Sequence, residues 1–273
     1  MPPNPPYEDL LTRESSKRLA AILRDLPEPV ALGGGHGVRY RVGAAWRNRF
    51  GQDYFGSQDI DVVYQVGADW TEAQIRASAI ANLKPVLGDL GYRPAAMNRF
   101  QAILDRNGKR LDQEPRPPAM LNEDFYYLYV DPIMTSPNPR VRDLIGYPPI
   151  VEPVLGRAFT DPRERDVLTD LGPNVYLPST PLLIAAKLRS LPLRGEGSHK
   201  AIKDICDLFA LTQFGGVPLD SVRERVHQVE PRTPELVNEA VRHPQLDDAV
   251  RHLDTDATAF RAVVGSLAVR KRP

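Results

Sequence analysis

The chain has 273 residues, 42% of them apolar and 26% charged, which is long enough to bury a sizeable core without disulfide or metal staples. Thirty-five basic side chains balance 35 acidic ones, which excludes a histone-like or polyanionic chain and leaves any nucleic-acid contact to a local patch. A single cysteine excludes a disulfide framework and a multi-cysteine zinc site, and no run approaches the ~20 apolar residues of a membrane span.

In chain order, the start MPPNPPYEDLL lacks the basic and apolar stretches of a signal peptide, so a soluble, cytoplasmic protein is expected. A helix follows from about Tyr7 to Leu26, its apolar face made by Leu10, Leu11, Leu19, Ile22 and Leu23, and Pro27 and Pro29 close it. Pro29 to Leu32 is a short buried strand running into a Gly-rich turn, Gly33 to Gly37, and then a helix from Val38 to Trp46. A polar loop, Arg47 to Gly56, leads to the strand Ser57 to Tyr64. One helix is expected over Thr71 to Leu90, with a Thr-x-Ala-Gln start and Gly91 at its end. Arg99–Asp105 and Lys109–Gln113 pair as a hairpin across Asn107-Gly108. Phe125 to Asp131 is an aromatic-rich strand ended by Pro132. Residues 137–178 are Pro-rich, with short strands and loops.

From Pro181 onward the pattern is helical, over 181–191, 199–214, 218–229, 233–242, 245–253 and 256–269. Strands mixed with helices early and helices alone late predict an α/β (α+β) chain: a head over 1–178 with its N-terminal helix, then a helical C-terminal domain over 179–273.

Two constellations carry chemistry. The first is Ser57-Gln58-Asp59-Ile60-Asp61 on a strand, where residues two apart share a face. Asp59 and Asp61 therefore point together, with Ile60 and Val62 packed on the other side. Two adjacent carboxylates on an apolar strand repel and need a cation, and hard oxygen ligands suit Mg2+ or Mn2+. Asp131, ending the FYYLYVD strand, is the expected third metal acid, and Asp112 in the hairpin competes for that place. The glycines before the second helix bring backbone N–H groups to where a phosphate would sit, and His36 among them is either a phosphate contact or a helix-start residue.

The second constellation is helical. Only seven basic residues are Lys, and Lys187 sits among Leu183, Ile184, Ala185, Ala186 and Leu188, where it needs an anionic partner: Asp204 or a ligand phosphate. On the next helix Ile202, Ile205, Cys206 and Phe209 make the core stripe, which places Cys206 in the core, while Lys203, Asp204 and Asp207 lie off it with a Lys200–Asp204 pair available. Arg189, Arg194, His199 and Lys200 form a basic cluster that either tracks an RNA backbone or is a solvated surface.

With LGGG (32–35), SQDIDV (57–62), LIAAKLRSLPLR (183–194) and KDICDL (203–208) in this order, the chain resembles the AbiEii-type nucleotidyltransferase toxins, which include the MenT toxins. The resemblance covers about residues 28–210. It implies a polymerase-β-like nucleotidyltransferase head with a mixed sheet. In such a head Asp59 and Asp61 would hold Mg2+ (or Mn2+) on an NTP triphosphate. Gly34 and Gly35 would cradle phosphates, Ser57 would be the serine before the first acid, Lys187 would contact phosphate, and Asp204 would complete the catalytic set. Members transfer a nucleotide from an NTP, several to the 3′ end of tRNA, and are silenced by an antitoxin protein. A small-molecule acceptor, glycosyl transfer at an Asp-x-Asp site, and a non-catalytic nucleotide- or partner-binding module are the competing expectations.

Overall fold

The computed structural model describes residues 9–26, 29–95, 98–111, 125–146, 148–195 and 197–269. It opens with α1 (Asp9–Arg24), β1 (Val30–Leu32), α2 (Gly34–Phe50) and β2 (Asp59–Tyr64). The Gly-rich run is not a free turn: Gly37 N–H donates to Gly33 O at 2.8 Å, so these glycines form the first turn of α2. That helix runs on through Arg49 to a left-handed Gly51, whose N–H bonds Arg47 O. The expected polar loop therefore shrinks. Its Tyr54 and Phe55 fold back on Trp46, with ring centroids at 4.8 and 5.7 Å, because an aromatic pair gains more by burial than by exposure.

The helix expected over 71–90 is two, α3 (Glu72–Arg76) and α4 (Ala79–Asp89). Thr71 and Gln74 form the capping box. Ser78 is extended and donates its hydroxyl to Ile75 O, the side-chain-to-backbone competition that ends a helix. Next come β3 (Arg93–Ala95), which the sequence reading lacks, β4 (Arg99–Asp105) and β5 (Phe125–Met134). The hairpin turn at Asn107-Gly108 forms, and among the described residues its second arm shows the bridge Leu104 to Arg110 and the bond Leu111 N–H to Ile103 O, while Asp112 and Gln113 lie outside the described residues.

Pro132 does not end β5. Thr135 N–H donates to Tyr64 O, so Ile133 and Asp131 also face β2, and Pro132 faces the opposite edge. There pairing with β4 stops at Val130 and pairing with β6 (Ile150–Val151) starts at Ile133, so the missing N–H falls in a gap. The chain continues through α5 (Pro139–Ile145), β6, α6 (Arg157–Thr160), β7 (Arg165–Val167) and β8 (Val175–Pro178). The helices that follow are α7 (Thr180–Ser190), α8 (His199–Phe214), α9 (Leu219–Val229), α10 (Thr233–Ala240), α11 (Leu246–Arg251) and α12 (Ala257–Gly265).

The strands form one mixed sheet in the order β3-β4-β5-β2-β1-β8-β7, with β6 beside the end of β5. β2 runs parallel to β5 and β1 parallel to β8, while β1–β2 and β4–β5 are antiparallel. The chain is thus a mixed α/β protein of the α+β kind. Alternation along β2 sorts its two faces. Ile60 and Val62 join Leu128, Val130 and Phe100 under α1 and α4, through Leu19, Ile22, Leu23, Ile80 and Leu83. On the other face Ala31, Val63 and Ile133 pack against Leu182 and Ala185 of α7. The remaining apolar side of α7, at Leu183, Ile184 and Leu188, shares a core with Val38, Val42 and Trp46 of α2 and with Ile205 and Cys206 of α8. One helix therefore joins sheet and helices across residue 178. Among the described residues no helix is long and apolar enough to cross a membrane.

Candidate active site

The parallel register of β2 and β5 sets Asp61 opposite Asp131 and Asp59 opposite Tyr129. Three carboxylates thus share one sheet face, beyond Val63 and Ile133 and clear of their α7 packing. They line a cavity of about 340 Å³ together with Gly34, Gly35 and Ser57 on one side and Lys187, Asp204, Arg194 and Lys200 on the other. Arg189 and His199 do not line it. Arg189 is held by Glu152 at 3.0 Å and Glu230 at 2.7 Å, and His199 is an exposed first residue of α8, so the basic cluster of the sequence divides in two.

The glycines are required by contact. Gly34 has φ +52°, and a Cβ there would lie 1.8 Å from Asp61 Oδ2; at Gly35 it would lie 2.8 Å from Ser57 Oγ and 3.6 Å from Lys203 Nζ. The amino end of α2 therefore touches the carboxylates on one side and faces a buried ammonium on the other, which is the setting of an anion site at a helix start. His36 takes no part in it. It is buried, shares a 2.7 Å hydrogen bond with the Ser15 hydroxyl through Nε2, and is pushed down to about 3 by burial and by Arg39 and Lys203. It is a helix-start residue and ties α2 to α1.

Two protein cations hold two of the three acids, Asp131 and Asp59. Arg99 donates to both oxygens of Asp131, at 3.0 and 2.5 Å, stands 3.6 Å from Asp59, and lies over the Tyr129 ring at 4.2 Å. Lys200 pairs with Asp59 rather than with Asp204. Even so, the Asp131 carboxyl is pushed up to about 7. Burial is the largest cause, and the neighbouring Asp61 and Asp59 add to it more than Arg99 takes away. Burial and Asp59 raise Asp61 as well. Arg99 is a site residue with no signal in the sequence, since a lone Arg after a turn is ordinary.

Across the cavity Lys187 Nζ lies 2.5 Å from Asp204 Oδ1 and 2.7 Å from Asp207 Oδ2. Burial works against its charge, but the two carboxylates outweigh it and its pKa is raised. Asp204 also accepts from Arg194 at 2.8 Å and from Ser190 at 3.1 Å, and is held down at about 2 because Lys187 and Arg194 outweigh its burial. The anionic partner expected of Lys187 is thus Asp204, joined by Asp207. Lys203, expected off the core, is 3% exposed, paired with Asp207, and depressed by burial. Cys206 is buried as expected, and burial raises its thiol.

Among the described residues no three acidic, His or Cys side chains stand ready as a metal-ligand group. The donor chemistry nevertheless fits a hard divalent ion. Asp59, Asp61 and Asp131 line one partly buried pocket, burial and their neighbouring carboxylates raise Asp61 and Asp131, and Gly34 leaves Asp61 the room a side chain would take. No protein-family model matches the chain, and no curated protein and no solved structure matches it.

Proposed function

We propose that the chain is a polymerase-β-like nucleotidyltransferase of the AbiEii (MenT-like) toxin type, moving a nucleotide from an NTP to an acceptor, the 3′ end of tRNA. The observation that carries the reading is the convergence of Asp59, Asp61 and Asp131 in one cavity with a glycine helix start and the Lys187–Asp204 pair. Glycosyl transfer at an Asp-x-Asp site asks for neither the glycine cradle nor the buried lysine pair.

In this reading Asp59, Asp61 and Asp131 would hold Mg2+ or Mn2+, which supplies charge neutralisation at the triphosphate and at the attacking oxygen. Backbone N–H groups at Gly34 and Gly35 bind the phosphates, with Ser57 and Lys203 beside them. Lys187, fixed by Asp204 and Asp207, places a permanent positive charge on the opposite wall, where charge grows on the leaving pyrophosphate. The acceptor hydroxyl attacks the α-phosphorus in line, its proton passes to a carboxylate such as Asp131, and pyrophosphate leaves. Positioning and charge do most of the catalysis.

The tRNA acceptor, the toxin role and the silencing antitoxin rest on the resemblance in motifs. A small-molecule acceptor is favoured by one observation: of the four basic residues near Lys187, only Arg194 and Lys200 line the cavity, and both are already paired to its acids. Incubation of the protein with each α-labelled NTP, Mg2+ and total tRNA tests the reading against Asp59→Ala and Lys187→Ala. Label in tRNA that both variants abolish supports it. NTP turnover without label in tRNA selects the small-molecule acceptor, and nucleotide binding without turnover selects the binding module.

A further inference from the structure

A second cavity, of about 360 Å³, is formed by α1, α2 and the turn at Asp53-Tyr54, and none of its lining residues lines the acidic cavity. Two arginines give it its charge. Arg39, Gly43 and Arg47 stand at i, i+4 and i+8 of α2, on one face of the helix, and all three line the cavity. Both arginines hold the same carboxylate. Arg39 donates to one oxygen of Asp53 at 3.0 Å, and Arg47 reaches the other at 2.8 and 2.6 Å. Arg39 also donates to the Ser16 hydroxyl at 2.7 Å, which fixes its guanidinium. Gly43 lies between the two. A glycine inside a helix weakens it relative to alanine, and packing does not ask for one here. Beyond its chain neighbours and the helix's own backbone, nothing lies within 4 Å of where a Cβ would stand, so the missing side chain leaves open space beside the arginines.

The size suits a small molecule. Asp53 is easily displaced, because its side chain is 47% and that of Arg47 62% exposed, and an ion pair so open to water adds little to stability. With Asp53 in place the two guanidinium groups carry one charge in excess; with it turned out they carry two. A carboxylate ligand would only exchange one like charge for another. A phosphate monoester brings a charge of about −1.5 to −2 near neutral pH and three acceptor oxygens, enough to satisfy both arginines at once. We infer that this cavity binds a small phosphate monoester, its phosphate replacing the Asp53 carboxylate between Arg39 and Arg47 and its organic part lying along Leu19, Tyr40 and Ala44. The site stands apart from the nucleotidyltransferase reading and does not depend on it.

Calorimetric titration of the full chain with phenyl phosphate, inorganic phosphate and benzoate, in buffer free of divalent ions, tests the site. Phenyl phosphate is expected to bind about tenfold more tightly than either of the others. Arg47→Gln removes a charged donor and Gly43→Leu fills the space beside it, and each should weaken phenyl phosphate by about tenfold or more. Asp53→Asn has the opposite sign: it removes the competing carboxylate and should tighten binding about two- to fivefold. None of the three positions is buried, so the variants should keep a melting temperature near that of the wild type, which separates a lost site from a lost fold. Affinity unchanged by Arg47→Gln and Gly43→Leu would place the phosphate elsewhere, at the glycines and lysines of the acidic cavity, and overturn the inference. Weaker binding in Asp53→Asn would make Asp53 part of the site's framework and overturn the exchange. Benzoate or inorganic phosphate binding as tightly as phenyl phosphate rejects a monoester, and no binding of phenyl phosphate rejects the site.

Discussion

Gly34 and Asp61 are in mutual contact: the place a side chain would take at 34 is filled by the Asp61 carboxylate, 1.8 Å from an ideal Cβ. The first turn of α2 is thus shaped around the acid on β2, and no side chain fits at 34 while that carboxylate stays in place. Gly34→Ala should cost about 1–3 kcal/mol from its positive φ and this overlap. It should also push Asp61 off its position and abolish the proposed nucleotide transfer. Urea denaturation and the labelled-NTP assay measure the two effects, and a fully active Gly34→Ala protein would show that the contact is incidental.

Lys187 needs its folding effect measured beside its chemistry. It neutralises two buried carboxylates, so Lys187→Ala leaves Asp204 and Asp207 short of a partner and should destabilise the protein by about 3–5 kcal/mol. Lost activity in that variant counts as catalytic only if the variant is still folded at the assay temperature, which circular dichroism reports. A melting temperature equal to wild type would mean the pair is looser than the 2.5 Å contact implies.

His36 predicts an acid limit to stability. Folded, it resists protonation down to about 3, because it is buried and faces Arg39 and Lys203; unfolded, it takes a proton below about 6.5. The unfolded chain therefore binds more protons between these values, and stability falls as pH drops from 6.5 toward 3, by up to about 5 kcal/mol from this one group. His36→Gln should flatten that slope in denaturation curves taken from pH 6.5 to 4. An unchanged slope would assign the acid sensitivity to other groups.

Arg99 competes with any divalent ion for Asp131 and Asp59. Arg99→Ala should therefore tighten Mn2+ binding, followed by electron paramagnetic resonance, by about tenfold. It should also lower the metal-free melting temperature, because Asp131 loses its hydrogen-bonding partner. Weaker Mn2+ binding in the variant would instead make Arg99 a support for the acids.

Local periodicity made the pair Asp59 and Asp61 and the buried Lys187 legible, because each depends on a residue's nearest neighbours along one strand or helix, whereas Asp131 joins the pair through the register of β2 with β5, which no local pattern fixes. The rest depends on packing between elements. Lys203 and Asp207 read as positions off the core stripe because they lie beside Ile202, Ile205, Cys206 and Phe209 rather than among them. In the fold α2, α7, α11 and α12 all pack on α8, so even the polar positions from Ala201 to Thr212 are buried. Tyr54 looked like a loop residue until Asp207, 153 positions away, accepted its hydroxyl. Pro132 read as a strand end because a sequence does not reveal that the neighbouring edge is vacant at that one residue.

The double duty of α7 has a consequence for how this chain can vary. Leu182 and Ala185 cover the sheet while Lys187, a turn further on, forms the cavity wall. A chain cut at Pro178 would lose its buried lysine and uncover Ala31, Val63 and Ile133 in the same stroke. Any substitution that tilts this helix is judged twice, once as folding and once as chemistry, so the segment has little freedom to drift.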